Sequence, residues 1–344
     1  MSALSVAILC QAGPAVGFGH LRRCLTLADA LRRRGGDVRF LVNGEDGTPS
    51  LVARHGFPAA VIETIPGALR GLASDPAGLV IDVLNLREAA AALARGRARA
   101  LAVITETDGP LPEADLIVDS RFSAEEKTAS CPSGTVGLFG PRYALLREEF
   151  ADEPARSIAP SIARILITVG GSDPHGLSAR LMDLAWKAAP EAVLDVVVGP
   201  FVADAGPVEA LAASRPGRAR LHRHPEGMRG LMLDADLALS AGGQTLFELA
   251  ATASPVVAIQ VAANQAPNLH ALAARGALCL AGEVSDPDLD TKVSEALRGL
   301  RDPAARARMG DRGRAGVDGR GAGRVADAML EVFGRSPSRS ETRR

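Results

Sequence analysis

Three short stretches of this chain carry residues whose types and spacing suit ligand binding and proton transfer. In the first, the apolar run Leu237 to Ser240 leads into Ala241-Gly242-Gly243-Gln244, and Thr245 to Ala253 then carries helix formers with apolar residues at helical spacing. Two glycines thus stand at the mouth of a helix, where backbone N–H groups lack intrahelical partners and the aligned peptide dipoles favour negative charge, a setting suited to phosphate. Glu248 falls within the first turn, in reach of a ribose diol. In the second stretch, a strand from Val256 to Ile259 is followed by Ala263-Asn264-Gln265, again opening a helix, and polar amides at the mouth of a buried strand need partners. A Gly-Gly turn between strand and helix is also an ordinary tight connection, so the pair of loops, more than either alone, describes a nucleotide site.

The third stretch is Gly17-Phe18-Gly19-His20, which follows the strand Ser5 to Cys10 and opens a helix with Leu21, Cys24, Leu25, Ala28 and Leu31 on one face, closed by Gly35-Gly36. Gly17-x-Gly19 begins a dinucleotide fingerprint, but Arg22 occupies the position of the third glycine, and this argues against a nicotinamide enzyme. His20 at the helix entrance has the chemistry of a general base, because imidazole titrates near neutrality and a helix N-terminus favours its neutral form. A capping or merely exposed histidine is the plainer alternative.

The elements that position these residues alternate between strand and helix. Further strands are expected at Val38 to Val42, Leu79 to Val83, Ala100 to Ile104 and Leu116 to Val118, with Asp82, Glu106 and Asp108 near strand ends. Ser123 to Gly140 is poor in pattern, and the charged stretch from Arg147, broken by Pro154 and Pro160, marks a domain boundary near residue 155. The second half starts over with a strand from Ile162 to Val169, the loop Gly170-Gly171-Ser172-Asp173, and a helix bearing Leu177, Leu181, Leu184 and Ala185. Strands at Leu194 to Val198 and Arg218 to His222 and a short helix at Met228 to Leu233 follow. Ala322 to Phe333 reads as a last amphipathic helix, and Gly334 to Arg344 as a disordered tail. The expected architecture is α/β, with two doubly wound parallel sheets, residues 1–155 and 156–333, facing each other over a cleft.

Composition narrows the function classes. At 344 residues and 47% hydrophobic content the chain suits two packed domains. Aromatic content of 3% offers no stacking platform for single-stranded nucleic acid, and a net charge of −1 with scattered basic residues argues against a duplex-binding surface. All but three of the 39 basic residues (Lys127, Lys187 and Lys292) are arginine. Cys10, Cys24, Cys131 and Cys279 show no metal or redox spacing and fit a reducing cytoplasm. With no signal-like segment and no apolar run long enough to span a bilayer, the expectation is a soluble cytoplasmic protein.

The chain resembles a known family through an ordered set of motifs. These are Gly17-Phe-Gly-His20-Leu-Arg-Arg23-Cys-Leu, Gly140-Pro-Arg-Tyr-Ala-Leu-Leu-Arg-Glu-Glu-Phe150, Ile167-Thr-Val-Gly-Gly-Ser-Asp173, Ser240-Ala-Gly-Gly-Gln-Thr-Leu-Phe-Glu248, Asn264-Gln265 and Asp318-Gly-Arg-Gly321. Together they look like the UDP-sugar hydrolases of pseudaminic acid synthesis, which share their architecture with predicted spore-coat polysaccharide glycosyltransferases. Both are similar to the inverting N-acetylglucosaminyltransferase of peptidoglycan synthesis. The resemblance implies a GT-B fold with Rossmann-like domains, the first carrying the base and the sugar side and the second holding UDP. It implies His20 as base, with Asn264 as a second catalytic residue and Gln265 meeting the sugar or diphosphate. Gly242, Gly243, Gln244 and Thr245 would hold the diphosphate and Glu248 the ribose. Gly17, Gly19, Arg23, Gly170, Gly171 and Asp173 would join the nucleotide-sugar contacts. The implied hydrolase reaction is inverting attack of water on the anomeric carbon of a UDP-sugar, without metal or cofactor.

Two departures leave the nucleophile open. The family's Asp-His-Tyr reads Asp82-Val83-Leu84 here, and the acidic pair after the next strand reads Thr105-Glu106. An inverting glycosyltransferase with a hydroxyl acceptor, or a nucleotide-sugar binding protein, uses the same motifs.

Overall fold

Apolar runs in which every side chain is buried form strands covered on both faces, and this chain has two sets of them. The computed structural model of the chain describes residues 3–12, 19–43, 47–70, 72, 76–83, 94, 97–151, 153–223, 225 and 227–335. The chain divides into two compact units, one formed by Met1–Glu148 with Arg320–Arg344, the other by Glu149–Gly319.

The first unit is built on a parallel sheet of seven strands in the order β3-β2-β1-β4-β5-β6-β7. These strands are β1 (Ser5–Gln11), β2 (Asp37–Asn43), β3 (Ala59–Val61), β4 (Gly78–Asp82), β5 (Ala100–Ile104), β6 (Leu116–Asp119) and β7 (Val136–Phe139). Alternate residues of β1 feed opposite faces, which is why its apolar run is unbroken. Val6, Ile8 and Cys10 join a core with Leu21, Cys24, Leu25 and Leu31 of helix α1 (Gly19–Arg33). Ala7 and Leu9 join another with Leu79, Ile81, Leu101 and Leu69 of α3 (Ile65–Arg70), which follows α2 (Gly47–Arg54).

The second unit has six parallel strands in the order β10-β9-β8-β11-β12-β13. They are β8 (Arg164–Thr168), β9 (Val193–Val198), β10 (Ala219–Arg223), β11 (Leu237–Ala241), β12 (Val256–Gln260) and β13 (Cys279–Glu283). The helices between and after them are α4 (Leu177–Ala188), α5 (Gly206–Ser214), α6 (Arg229–Asp234), α7 (Thr245–Ala251), α8 (Ala266–Ala274), α9 (Leu289–Gly299) and α10 (Pro303–Gly316). Right-handed parallel crossovers place helices on both faces of each sheet and leave the strand carboxyl ends to the connecting loops.

The division corrects the expected boundaries. The first crossing between units falls after Glu148, ahead of the proline-rich stretch near residue 155. The last helix, α11 (Gly321–Arg335), belongs to the first unit and not to the second. It buries Val325, Ala326, Met329 and Phe333 in the core that α1 shares, each large side chain contributing about 1.5–3 kcal/mol. The helix also includes Gly334 and Arg335, expected in the tail, while residues 336–344 lie outside the described set. Two glycines shape the return crossing. A Cβ on Gly319 would lie 1.9 Å from the carbonyl oxygen of Phe150, and one on Gly321 would lie 2.2 Å from that of Ala144. Backbone therefore runs directly on backbone at both positions, an approach that only glycine permits.

Candidate functional site

In each unit the sheet reverses its strand order between two adjacent strands, and the candidate residues gather at the carboxyl ends of those strands, where open α/β sheets bind ligands. In the first unit the reversal lies between β1 and β4, which pair with Cys10 opposite Asp82. In the second it lies between β8 and β11.

His20 is the second residue of α1, and its Nδ1 lies 2.7 Å from Oδ1 of Asp82, the last residue of β4. Asp82 is fully buried and is surrounded by donors. Oδ1 also accepts from Arg23 Nη2 at 2.5 Å, and Oδ2 accepts from Arg23 Nε at 2.6 Å and from the Cys24 thiol at 3.4 Å. Burial pushes the carboxyl pKa up, but the charge and hydrogen bonds of Arg23 and the bond from His20 outweigh it, leaving Asp82 at about 2. Burial likewise lowers the Arg23 pKa, yet Asp82 and Glu106 bring it out well above its ordinary value.

An ionised Asp82 settles the histidine tautomer. A carboxylate has no proton to give, so the 2.7 Å contact is attractive only with a proton on Nδ1, and in the neutral ring the lone pair is then on Nε2. Arg23 Nη2, 2.9 Å from the same Nδ1, is a fellow donor to Oδ1. The His20 side chain is 13% exposed.

Arg23, expected among the nucleotide-sugar contacts, packs against Asp82. It is buried, bridges Asp82 to Glu106 at the start of the loop after β5, and so fixes the partner of His20. Asp82, named by sequence only as one of several strand-end carboxylates, is the residue that orients His20. Asp108, by contrast, pairs with Arg121. Gly19 opens α1, while Gly17 and Leu84 lie outside the described residues.

In the second unit, the loop after β8 exposes Gly170 and Gly171. Asp173 holds a positive φ of 42°, and its carboxylate accepts from the N–H groups of Leu177 at 2.7 Å and Ser178 at 2.9 Å. The Asp173 side chain thus caps the first N–H groups of α4. At β11 the arrangement is reversed, for α7 begins at Thr245 with no capping bond from the Gln244 side chain. Gly242 is buried where a Cβ would stand 2.7 Å from Leu269 Cδ1 and 2.9 Å from Gln265, whereas Gly243 faces open space. Glu248 is half-buried one turn into α7. Gln265 Oε1 accepts from the N–H of Val261 at 2.9 Å, so this side chain braces the turn after β12. Asn264 is exposed in the short 3-10 turn Ala263–Gln265 beside it. Among the described residues, no group of three or more His, Cys, Asp or Glu side chains is placed to hold a metal ion, and no helix is long and apolar enough to cross a membrane.

No family model matches the chain. It is 26% identical over 271 residues to an uncharacterized protein of Methanocaldococcus jannaschii, a match covering 74% of this chain and spanning only 55% of that protein's length. It is 23% identical over 348 residues to the spore coat polysaccharide biosynthesis protein SpsG of Bacillus subtilis, covering 96% of this chain and 99% of SpsG. Among solved structures, MurG of Acinetobacter baumannii superposes with a TM-score of 0.64 at 17% identity over 95% of this chain and 99% of MurG. The calicheamicin glycosyltransferase CalG4 gives 0.66 at 15% identity over 98% and 100% of the two chains. Anabaena HepE, solved in complex with UDP and glucose, gives 0.57 at 13% identity over 95% and 99%. The fold is that of the GT-B glycosyltransferases.

Proposed function

We propose that the protein is an inverting glycosyltransferase that moves a sugar from a uridine diphosphate donor to a hydroxyl acceptor. The observation that carries this reading is the bond between His20 Nδ1 and the ionised Asp82, which leaves Nε2 as proton acceptor at the carboxyl end of the first sheet. In the reaction, the acceptor hydroxyl loses its proton to Nε2 as its oxygen attacks the anomeric carbon. The bond from that carbon to the diphosphate breaks, UDP departs with the electron pair, and the configuration inverts. A positioned base of this kind is worth ~10²–10⁴ in rate, and Asp82 stabilises the imidazolium that forms.

The donor is assigned to the second unit. The start of α7, where the Gln244 side chain makes no capping bond, and the open space over Gly243 suit a diphosphate, Glu248 suits a ribose diol, and Asn264 suits the sugar. HepE, of the same fold, was solved with UDP and glucose, which favours a uridine nucleotide. The likeness to SpsG over nearly the whole chain supports a role in making a polysaccharide.

A second reading keeps the site and makes water the nucleophile, as in the UDP-sugar hydrolases of pseudaminic acid synthesis. The ordered motifs from Gly140 to Phe150 and from Asp318 to Gly321 favour it, while Leu84 and Thr105 in place of that group's residues place it second. The two separate when a panel of UDP-sugars is offered with and without alcohol or glycoside acceptors and products are followed by NMR. UDP release that waits for an acceptor and yields a glycoside of inverted configuration is the expected result. Rapid release of free sugar without acceptor would establish the hydrolase, and release of neither product from any donor would overturn both readings.

A further inference from the structure

The first unit holds a cleft of about 470 Å³ between the loop that follows β5 and the 3-10 segment Phe122–Ser130, lined by Asp108, Pro110, Leu111, Lys127, Ser130 and Pro132. Both walls begin after strand carboxyl ends, as α1 with His20 does after β1.

Its walls are held in place before anything binds. Arg121, almost fully buried, donates Nε to Asp119 Oδ1 at 3.0 Å and Nη2 to Asp119 Oδ2 at 2.9 Å and to the carbonyl of Thr107 at 2.8 Å, while its Nη1 pairs with Asp108 at 2.9 Å. Lys127 reaches Asp119 Oδ2 at 2.9 Å and the same Thr107 carbonyl. Two cations thus grip the start of the loop, and the Gly109 N–H closes onto the Thr107 hydroxyl at 3.0 Å. Glu106, one residue before Thr107, is bound by Arg23, the residue that clamps Asp82. Two ion-pair clusters, one around Arg23 and one around Arg121, thus hold the neighbouring residues Glu106 and Thr107 of one loop.

We propose that this cleft seats the acceptor, and that the part it receives is an uncharged polyhydroxylated ring. The assignment rests on the transferase reading above. Asp108 and Asp119 against Arg121 and Lys127 sum to no net charge, so neither an anion nor a cation is drawn in without breaking an existing pair. Pro110, Leu111 and Pro132 offer an apolar wall to the C–H face of a ring. The Asp108 carboxylate, 66% exposed, and the Ser130 hydroxyl offer hydrogen bonds to its rim. The volume falls within the roughly 300–1,000 Å³ of small-molecule sites.

The test is saturation-transfer NMR on the whole protein with saturating UDP, using methyl β-D-glucopyranoside and methyl N-acetyl-β-D-glucosaminide as neutral probes and glucose 6-phosphate as an anionic one. At least one neutral glycoside should receive saturation on its ring protons, and glucose 6-phosphate should not. Ser130→Trp, which fills the cleft from an exposed position, should abolish the signal, and Asp108→Asn should weaken probe binding about tenfold by loss of a charge-assisted hydrogen bond. UDP affinity by calorimetry should be unchanged in both variants. Signals that survive Ser130→Trp, or that arise only from glucose 6-phosphate or from no probe, would overturn the cleft assignment. Absence of UDP binding by the unaltered protein would instead undermine the donor assignment, so the two failures are told apart.

Discussion

His20 and Asp82, 62 positions apart in sequence, meet at 2.7 Å because β1 and β4 are neighbours at the point where the first sheet reverses its order. The contact makes the two residues separable by experiment. His20→Ala should reduce kcat ~10²–10⁴-fold with UDP affinity unaffected, since the nucleotide is assigned to the other unit. Asp82→Asn should lower both kcat and thermal stability, because it removes one of the two carboxylates paired with the buried Arg23 and leaves only Glu106. Steady-state kinetics beside thermal unfolding checks both, and full activity in His20→Ala would remove the base.

Acid should loosen the first unit in a defined window. The Asp82 pKa falls from the usual 3.8 to about 2 in the folded chain. The ionised form is thus favoured by folding, its contribution is complete above about pH 4, and it is lost as pH falls toward 2. The amount is about 2 kcal/mol at most. Unfolding by urea at stepped pH should show this loss in the unaltered protein and not in Asp82→Asn.

Adjacent glycines at β11 should respond oppositely to the same change. Gly242→Ala forces a methyl group against Leu269 and the Gln265 that braces the next turn, and should cost about 1–3 kcal/mol of stability. Gly243→Ala meets no protein atom within 4 Å. It should fold normally and weaken UDP binding by crowding the space assigned to the diphosphate. Equal UDP affinity in Gly243→Ala and the unaltered chain would move the phosphates elsewhere.

Glu248→Ala should raise the UDP dissociation constant about tenfold or more, the worth of a hydrogen bond to a charged group, with little change in uracil recognition. Calorimetry with UDP and with 2′-deoxyuridine diphosphate checks this, because the deoxy ligand should already bind weakly and lose little more on mutation.

Central strands were readable from the chain because burial on two faces demands unbroken apolar runs, and β1, β4, β5 and β11 lie within a residue or two of where those runs place them. The edge strands of the first sheet were not. β3 has three residues with Val61 exposed, and β7 carries Gly137 with Val136 exposed, so neither has a two-sided signal. The site was legible where it depends on local chain, as with His20 at a helix entrance and the two glycines before α7. It was illegible where distant segments meet. Nothing local to Arg23 shows that it would turn inward to Asp82, and nothing local to Asp173 shows that its carboxylate would meet the N–H groups of α4. The placement of α11 was hidden for the same reason, since an amphipathic stripe shows that a helix packs without showing on which sheet.

That last placement sets an order of assembly during synthesis. Residues 149–319 emerge as a continuous segment that starts and ends on its own backbone, Gly319 lying against Phe150, and they hold all their strands. The half made earlier has to wait on the ribosome for Val325, Met329 and Phe333 before its core closes. The domain translated first is thus the one finished last, and a premature stop codon between residues 321 and 333 should strip the core of the histidine's half of the protein while sparing the other.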